Sequence, residues 1–99
     1  MLAKCPCLTG VQHIPVLHCK YAGGIRLDFG VSSVVFSGDT IPCKQIIAAS
    51  RGCSVLIHEA TFGSDRSAEA RAKRHSTVEE AIQVARESKS KILILTHFS

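Results

Sequence analysis

The stretch SVVFSGDTIPCKQIIAASRGCSVLI, Ser33 to Ile57, decides the reading of the fold. Ser33 to Ser37 is an apolar run of β-branched and aromatic residues between two serines, which suits a strand. Gly38-Asp39-Thr40 ends that strand, because glycine and aspartate favour turns. Pro42 carries the fixed φ of a first helical turn. The helix runs from there to about Ser50 with Ile46, Ile47 and Ala49 as its apolar face, and Gly52 stops it. Ser54 to Ile57 is again β-branched-rich and reads as a buried strand.

Upstream, Ile25 to Phe29 alternates apolar and polar residues as a half-buried strand does, and Gly30 turns the chain toward Ser33. These two strands form an antiparallel hairpin. Gly23-Gly24 reads as a turn. Val11 to Cys19 reads as a strand broken by Pro15, with no evident partner. Downstream, Phe62 to Arg74 is polar, charged and alanine-rich, which fits a loop with a short helix. A longer helix starts at Ser76 or Thr77, where Thr77 and Glu80 have the spacing of a capping box. Val78, Ala81, Ile82 and Ala85 continue it at helical period. Ile92 to Leu95 is a last apolar strand, followed by Thr96-His97-Phe98-Ser99. The order β-β-β-α-β-α-α-β argues for a layered α/β fold. No helix follows the last strand to cover it, so the expectation is a fragment whose missing sequence supplies a second sheet or more strands.

The chain has 99 residues, 45% of them hydrophobic and 20% charged, an ordinary globular balance, and its clustered apolar runs argue against a disordered chain. Its apolar runs are far too short to span a bilayer. The first residues lack the apolar core of a secretory signal. The formal charge of +4 permits an anionic partner such as RNA without demanding one. Of the five cysteines only Cys5 and Cys7 lie close together, and no second pair stands at zinc-finger spacing. They read as reduced intracellular thiols, several of them buried.

Polar clusters fall at strand ends and one helix start: His18-Cys19, Ser37-Gly38-Asp39-Thr40, His58-Glu59-Ala60-Thr61, His75-Ser76-Thr77 and His97-Phe98-Ser99. Ligands gather where strands of a layered α/β fold hand over to loops. His18, Asp39 and His97 are single residues at such ends, and imidazole and carboxylate are the usual ligands of catalytic zinc. Glu59 and His75 suit another task, because a carboxylate that binds an imidazole fixes its tautomer and equips it as a general acid. Each residue also has a plain structural reading: a turn aspartate, a charged strand end, a helix-flanking histidine. His13 is assigned a structural or surface role.

These blocks resemble the signature motifs of the tRNase Z family, a branch of the metallo-β-lactamases. Val16-Leu17-His18-Cys19-Lys20 is similar to a block carrying a histidine ligand, and Phe36-Ser37-Gly38-Asp39-Thr40 with Pro42-Cys43 to the block with a metal-bridging aspartate. His58-Glu59-Ala60-Thr61 and His75-Ser76-Thr77 resemble the two loops that set this group apart, and Leu95-Thr96-His97-Phe98-Ser99 its final ligand block. The cysteines at 19 and 43 point toward the long eukaryotic form. The resemblance implies an αβ/βα four-layer sandwich, of which residues 1–99 are the C-terminal half. It implies two Zn2+ ions, with His18 on one, Asp39 bridging and His97 on the other. It makes His75 the proton donor to the leaving 3′ oxygen, oriented by Glu59; it leaves the role of His58 open, with support of its neighbours as the expectation.

The implied activity is removal of the 3′ trailer from precursor tRNA. The family's upstream His-x-His-x-Asp-His block and tRNA-gripping arm are absent from the sequence, so the isolated chain is expected to be inactive. Its expected partners are precursor tRNA and either the missing N-terminal half or a second copy, with no membrane. The resemblance places it inside the cell, in nucleus or mitochondrion. The alternatives are another hydrolase of this fold, such as a thioester hydrolase, and a noncatalytic fragment that binds RNA or protein.

Overall fold

A computed structural model describes residues 7–15 and 23–97. The elements follow the expected order: β1 (Gly10–Pro15), β2 (Gly23–Phe29), β3 (Ser32–Phe36), α1 (Lys44–Ala49), β4 (Val55–Glu59), a 3-10 turn (Ser64–Arg66), α2 (Ser67–Ala72), α3 (Val78–Ser88) and β5 (Ile92–Thr96). One five-stranded sheet takes them in sequence order, β1-β2-β3-β4-β5. β1 and β2 pair antiparallel, as do β2 and β3, while β3, β4 and β5 run parallel.

Two expectations need correction. The first strand does have a partner: Gly10 to Pro15 pairs with Asp28 to Gly23 of β2. Gly23 and Gly24 are accordingly strand residues, opposite Pro15 and Ile14, and not a turn. Glycine in a strand marks close approach, and here a Cβ on Gly24 would stand 2.6 Å from the Phe36 carbonyl oxygen. A smaller shift concerns Pro42, which precedes the N-cap Cys43 instead of opening the helix.

Register divides the sheet into two unlike faces. Ile14, Val35 and Leu56 point toward α1 and α3 and form the core with Cys43, Ile46, Cys53 and Val84, all nearly without solvent contact. Val84, absent from the periodic set read in the sequence, carries much of the α3 contribution. The opposite face carries two apolar rows, Val11-Leu27-Val34-Val55-Ile92 and, behind His13, Ile25-Phe36-Ile57-Ile94. No described element covers these rows, and Val11, Phe36, Ile92 and Ile94 are between 41% and 56% exposed. No helix among the described residues is long and apolar enough to cross a membrane.

Candidate active site

Because β3, β4 and β5 are parallel, their C-terminal ends meet at one edge of the sheet. That edge carries Asp39 beyond β3, Glu59 and Thr61 at the end of β4, and His97 beyond β5. Gly38 aims the first of these. Its φ of +66° belongs to the left-handed region that glycine enters freely, and a Cβ there would lie 2.6 Å from the Gly23 carbonyl oxygen. His97 has φ +64° without being glycine, a backbone that costs about 1 kcal/mol and concentrates at functional sites. This bend brings His97 Nδ1 to 3.0 Å from Asp39 Oδ1.

His75 reaches the same place by helix termination. Arg74 at φ +58° ends α2, with the Arg74 and His75 amides bonded to the carbonyls of Arg71 and Ala70. This is the paired bond pattern of a Schellman cap. Immediately after it, Thr77 caps α3 through the expected box, its hydroxyl accepting from the Glu80 amide while Glu80 accepts from the Thr77 amide. The Phe62 backbone bonds to Ser76 and Val78 and holds the loop after β4 against the start of α3.

Glu59 joins these loops. It is 1% exposed and accepts from five donors among the described residues. Oε1 takes the Thr40 amide and His75 Nδ1, each at 2.8 Å. Oε2 takes the Thr61 hydroxyl at 2.8 Å and the Thr61 and Ser76 amides at 3.1 Å. Burial alone would push the Glu59 carboxyl up. The bonds from Ser76, Thr40, Thr61 and His75 outweigh it and hold the group below the usual carboxylate range. Ser37 braces the strand end by accepting from the Glu59 amide, and the Ser76 hydroxyl bonds to the Thr40 carbonyl.

Three of the expected site residues therefore form one cluster. Ligand atoms of Asp39, His75 and His97 all lie within 4.8 Å of one another. The side chains of Asp39 and His97 are about half exposed, at 45% and 51%. The Asp39 carboxylate and the His97 imidazole, open on one side, are donor types that fit zinc, and the His75 imidazole stands beside them. Glu59 stands directly behind this cluster and not in it. His18 lies outside the described residues. His58 points into the helix-covered side, fully buried, with Nδ1 donating to the Glu59 carbonyl at 2.8 Å. Its Nε2 has no hydrogen-bond partner among the described residues. Burial lowers its pKa below the usual 6.5, against the raising influence of the Glu59 carbonyl and of the charges on Glu59 and Glu80.

Sequence reasoning missed Thr61, whose hydroxyl touches Glu59, His75 and His97 at once. It also missed Thr40 and Ser76, which act through backbone amides that no residue pattern announces.

The model for the β-lactamase superfamily domain matches residues 7–98. The chain is 42% identical over 98 residues to "Ribonuclease Z, mitochondrial" of Drosophila melanogaster, covering 93% of this chain and 13% of that protein. It is 40% identical over 93 residues to "Zinc phosphodiesterase ELAC protein 2" of Homo sapiens, covering 93% of this chain and 11% of that protein. Among solved structures it is similar to a long-form RNase Z from yeast, with TM-score 0.86, 31% identity, and coverage of 94% of this chain and 14% of that one. The short form of human tRNase Z superposes with TM-score 0.83 at 26% identity, over 90% of this chain and 35% of that one. The chain thus spans a small part of the length of the proteins it resembles. With a family match over nearly all of its residues, the chain belongs to the β-lactamase superfamily.

Proposed function

We propose that this chain supplies part of the active centre of a zinc-dependent endoribonuclease that removes the 3′ trailer from precursor tRNA. The observation that carries the reading is the Glu59–His75 pair, 2.8 Å apart, beside the Asp39–His97 pair. Phosphodiester hydrolysis needs a group that protonates the departing oxygen as well as a site for the nucleophile, and the two pairs supply one each. Names of the relatives support the substrate and the metal: "Ribonuclease Z", "tRNAse Z" and "Zinc phosphodiesterase".

In this reading Asp39 and His97 hold zinc, with His18 as a further ligand and two ions in the complete site. Bound zinc supplies Lewis acidity and hydroxide at neutral pH. Glu59 accepts from His75 Nδ1, so in the doubly protonated ring it is the Nε2 proton that goes to the leaving 3′ oxygen. The carboxylate is anchored by backbone amides, so the imidazole is held without help from substrate. The relatives named as mitochondrial favour that compartment, while the nucleus rests on the family resemblance alone.

The test is cleavage of a tRNA carrying a 3′ trailer by the protein at its natural length. His75→Ala should lower turnover by ~10²–10⁴-fold, the usual contribution of a positioned acid, and leave zinc content unchanged. Loss of zinc together with turnover makes His75 a ligand and removes the proton-donor role.

A further inference from the structure

Thr61 Oγ1 lies 2.8 Å from Glu59 Oε2, 3.2 Å from His75 Nδ1 and 3.1 Å from His97 Nδ1. Thr61 is 9% exposed, so water competes little for these contacts. A hydroxyl has one proton to give and two lone pairs. Glu59 is held as a carboxylate and can only accept, so the hydroxyl proton goes to Oε2. The two imidazoles are then left to donate to Thr61. His75 Nδ1–H also reaches Glu59 Oε1, and His97 Nδ1–H also reaches Asp39 Oδ1. Each ring is thus presented with two oxygen acceptors at Nδ1, and both are driven to the same tautomer.

We infer that Thr61 is a positioning residue that fixes the tautomers of His75 and His97 together, coupling the proton-donor pair to the metal site through one hydroxyl. The inference rests on the proposed roles of Asp39, His75 and His97. Its distinct content is that both rings carry hydrogen at Nδ1 and keep Nε2 for outside work: His75, doubly protonated, gives its Nε2 proton to substrate, and His97, neutral, offers its Nε2 lone pair to metal. Once Asp39 is engaged by a metal, its oxygens compete less for His97. Thr61 then becomes the acceptor that keeps His97 oriented. Partners of this kind typically change metal affinity or activity by ~10–100-fold when removed.

The variants are Thr61→Ser, which keeps the hydroxyl, and Thr61→Val, which keeps the shape and loses it. Thr61→Ala is a second hydroxyl-free variant, used should valine prevent folding. Two readouts apply to the natural-length protein: imidazole ¹⁵N shifts of His75 and His97 without metal, and cobalt(II) affinity by competition with a chelator. The expected result is both rings protonated at Nδ1 in the parent and in Thr61→Ser. Thr61→Val should show mixed tautomers at His97 and cobalt(II) affinity lower by ~10–100-fold. Parent-like affinity and tautomers in the hydroxyl-free variants would overturn the inference, as would a loss in Thr61→Ser equal to theirs. Asp39→Asn separates the two levels. Unchanged cobalt(II) affinity there defeats the metal-site reading itself, whereas lost affinity there with parent-like Thr61→Val defeats only the role of Thr61.

Discussion

Glu59→Gln is the most informative single change, because it keeps shape and burial while altering one charge and one acceptor. A glutamine has one carbonyl oxygen and one amide nitrogen where Glu59 has two oxygens, and five donors converge on that carboxylate among the described residues. The better orientation leaves the oxygen at Oε2, accepting from Thr61 twice and from Ser76. The amide nitrogen then faces the Thr40 amide and His75 Nδ1, two donors against a donor. His75 escapes by moving its hydrogen to Nε2 and accepting at Nδ1, but the buried Thr40 amide has no such choice. A buried donor left unsatisfied costs about 1–3 kcal/mol, and hydrogen bonds to a charged group contribute about 1.5–3 kcal/mol each. With the remaining three bonds weakened from charged to neutral, the loss should be about 3–5 kcal/mol. Urea denaturation of the natural-length protein, followed through the transition of this domain, measures it. The ring nitrogens of His75 report the tautomer. Glu59→Gln within about 0.5 kcal/mol of the parent, with His75 still protonated at Nδ1, would refute the account of Glu59 as the anchor of these loops.

Other perturbations test separate parts of the structure. The Glu59 carboxyl is held below its ordinary value of 4.5, so its contribution is fully present above that value and is lost as pH falls below it. Denaturation midpoints between pH 6 and pH 3 should show this extra loss in the parent and not in Glu59→Gln. His58 is buried in its neutral form with its pKa lowered from 6.5, so the unfolded chain takes up a proton first. Stability from this group is complete above pH 6.5 and declines as pH falls below it, and His58→Leu should remove that slope. Thr77→Ala removes the capping-box hydroxyl and should cost ~1 kcal/mol in denaturant unfolding. Residues 1–99 expressed alone should self-associate through the uncovered sheet face, hold zinc weakly after dialysis and leave a tRNA trailer uncut. Phe36→Glu with Ile94→Lys should then raise the monomer fraction in sedimentation, and stoichiometric zinc with cleavage would defeat the expectation.

Secondary structure was legible because each element carries its own local signal. Val78, Ala81, Ile82 and Ala85 repeat at helical spacing, Thr77 and Glu80 stand three apart, and β-branched runs mark β3, β4 and β5. The β1–β2 pairing was not legible, because Gly23-Gly24 has the same composition in a turn as in a strand that must pass close to Phe36. Only tertiary contact separates these two meanings. The candidate site was legible in part for a similar reason. Asp39, Glu59, His75 and His97 stand out as chemistry-bearing residues at element ends, and the family resemblance gave them roles. Thr61 did not stand out, since a threonine after a strand is unremarkable until the loops of three strands are folded onto it.

The anchor's composition has a consequence for how the site is held. The helix-covered core stabilises the sheet through Ile14, Ile46, Leu56 and Val84. The loops carrying Thr40, Thr61 and His75-Ser76 are instead fastened to one buried carboxylate by directional bonds. Apolar packing tolerates small shifts of a side chain, whereas a donor displaced by half an ångström loses much of its bond. Positions that converge on Glu59 are therefore coupled, and their mutational effects should depart from additivity. A double-mutant cycle of Thr61→Val with His75→Ala reads that coupling, because each removes a different donor from the same acceptor group. Independent losses that simply add would mean that Glu59 serves the loops one at a time. A combined loss clearly smaller than the sum would mean that the carboxylate holds them as a unit, which its two-sided bonding already implies.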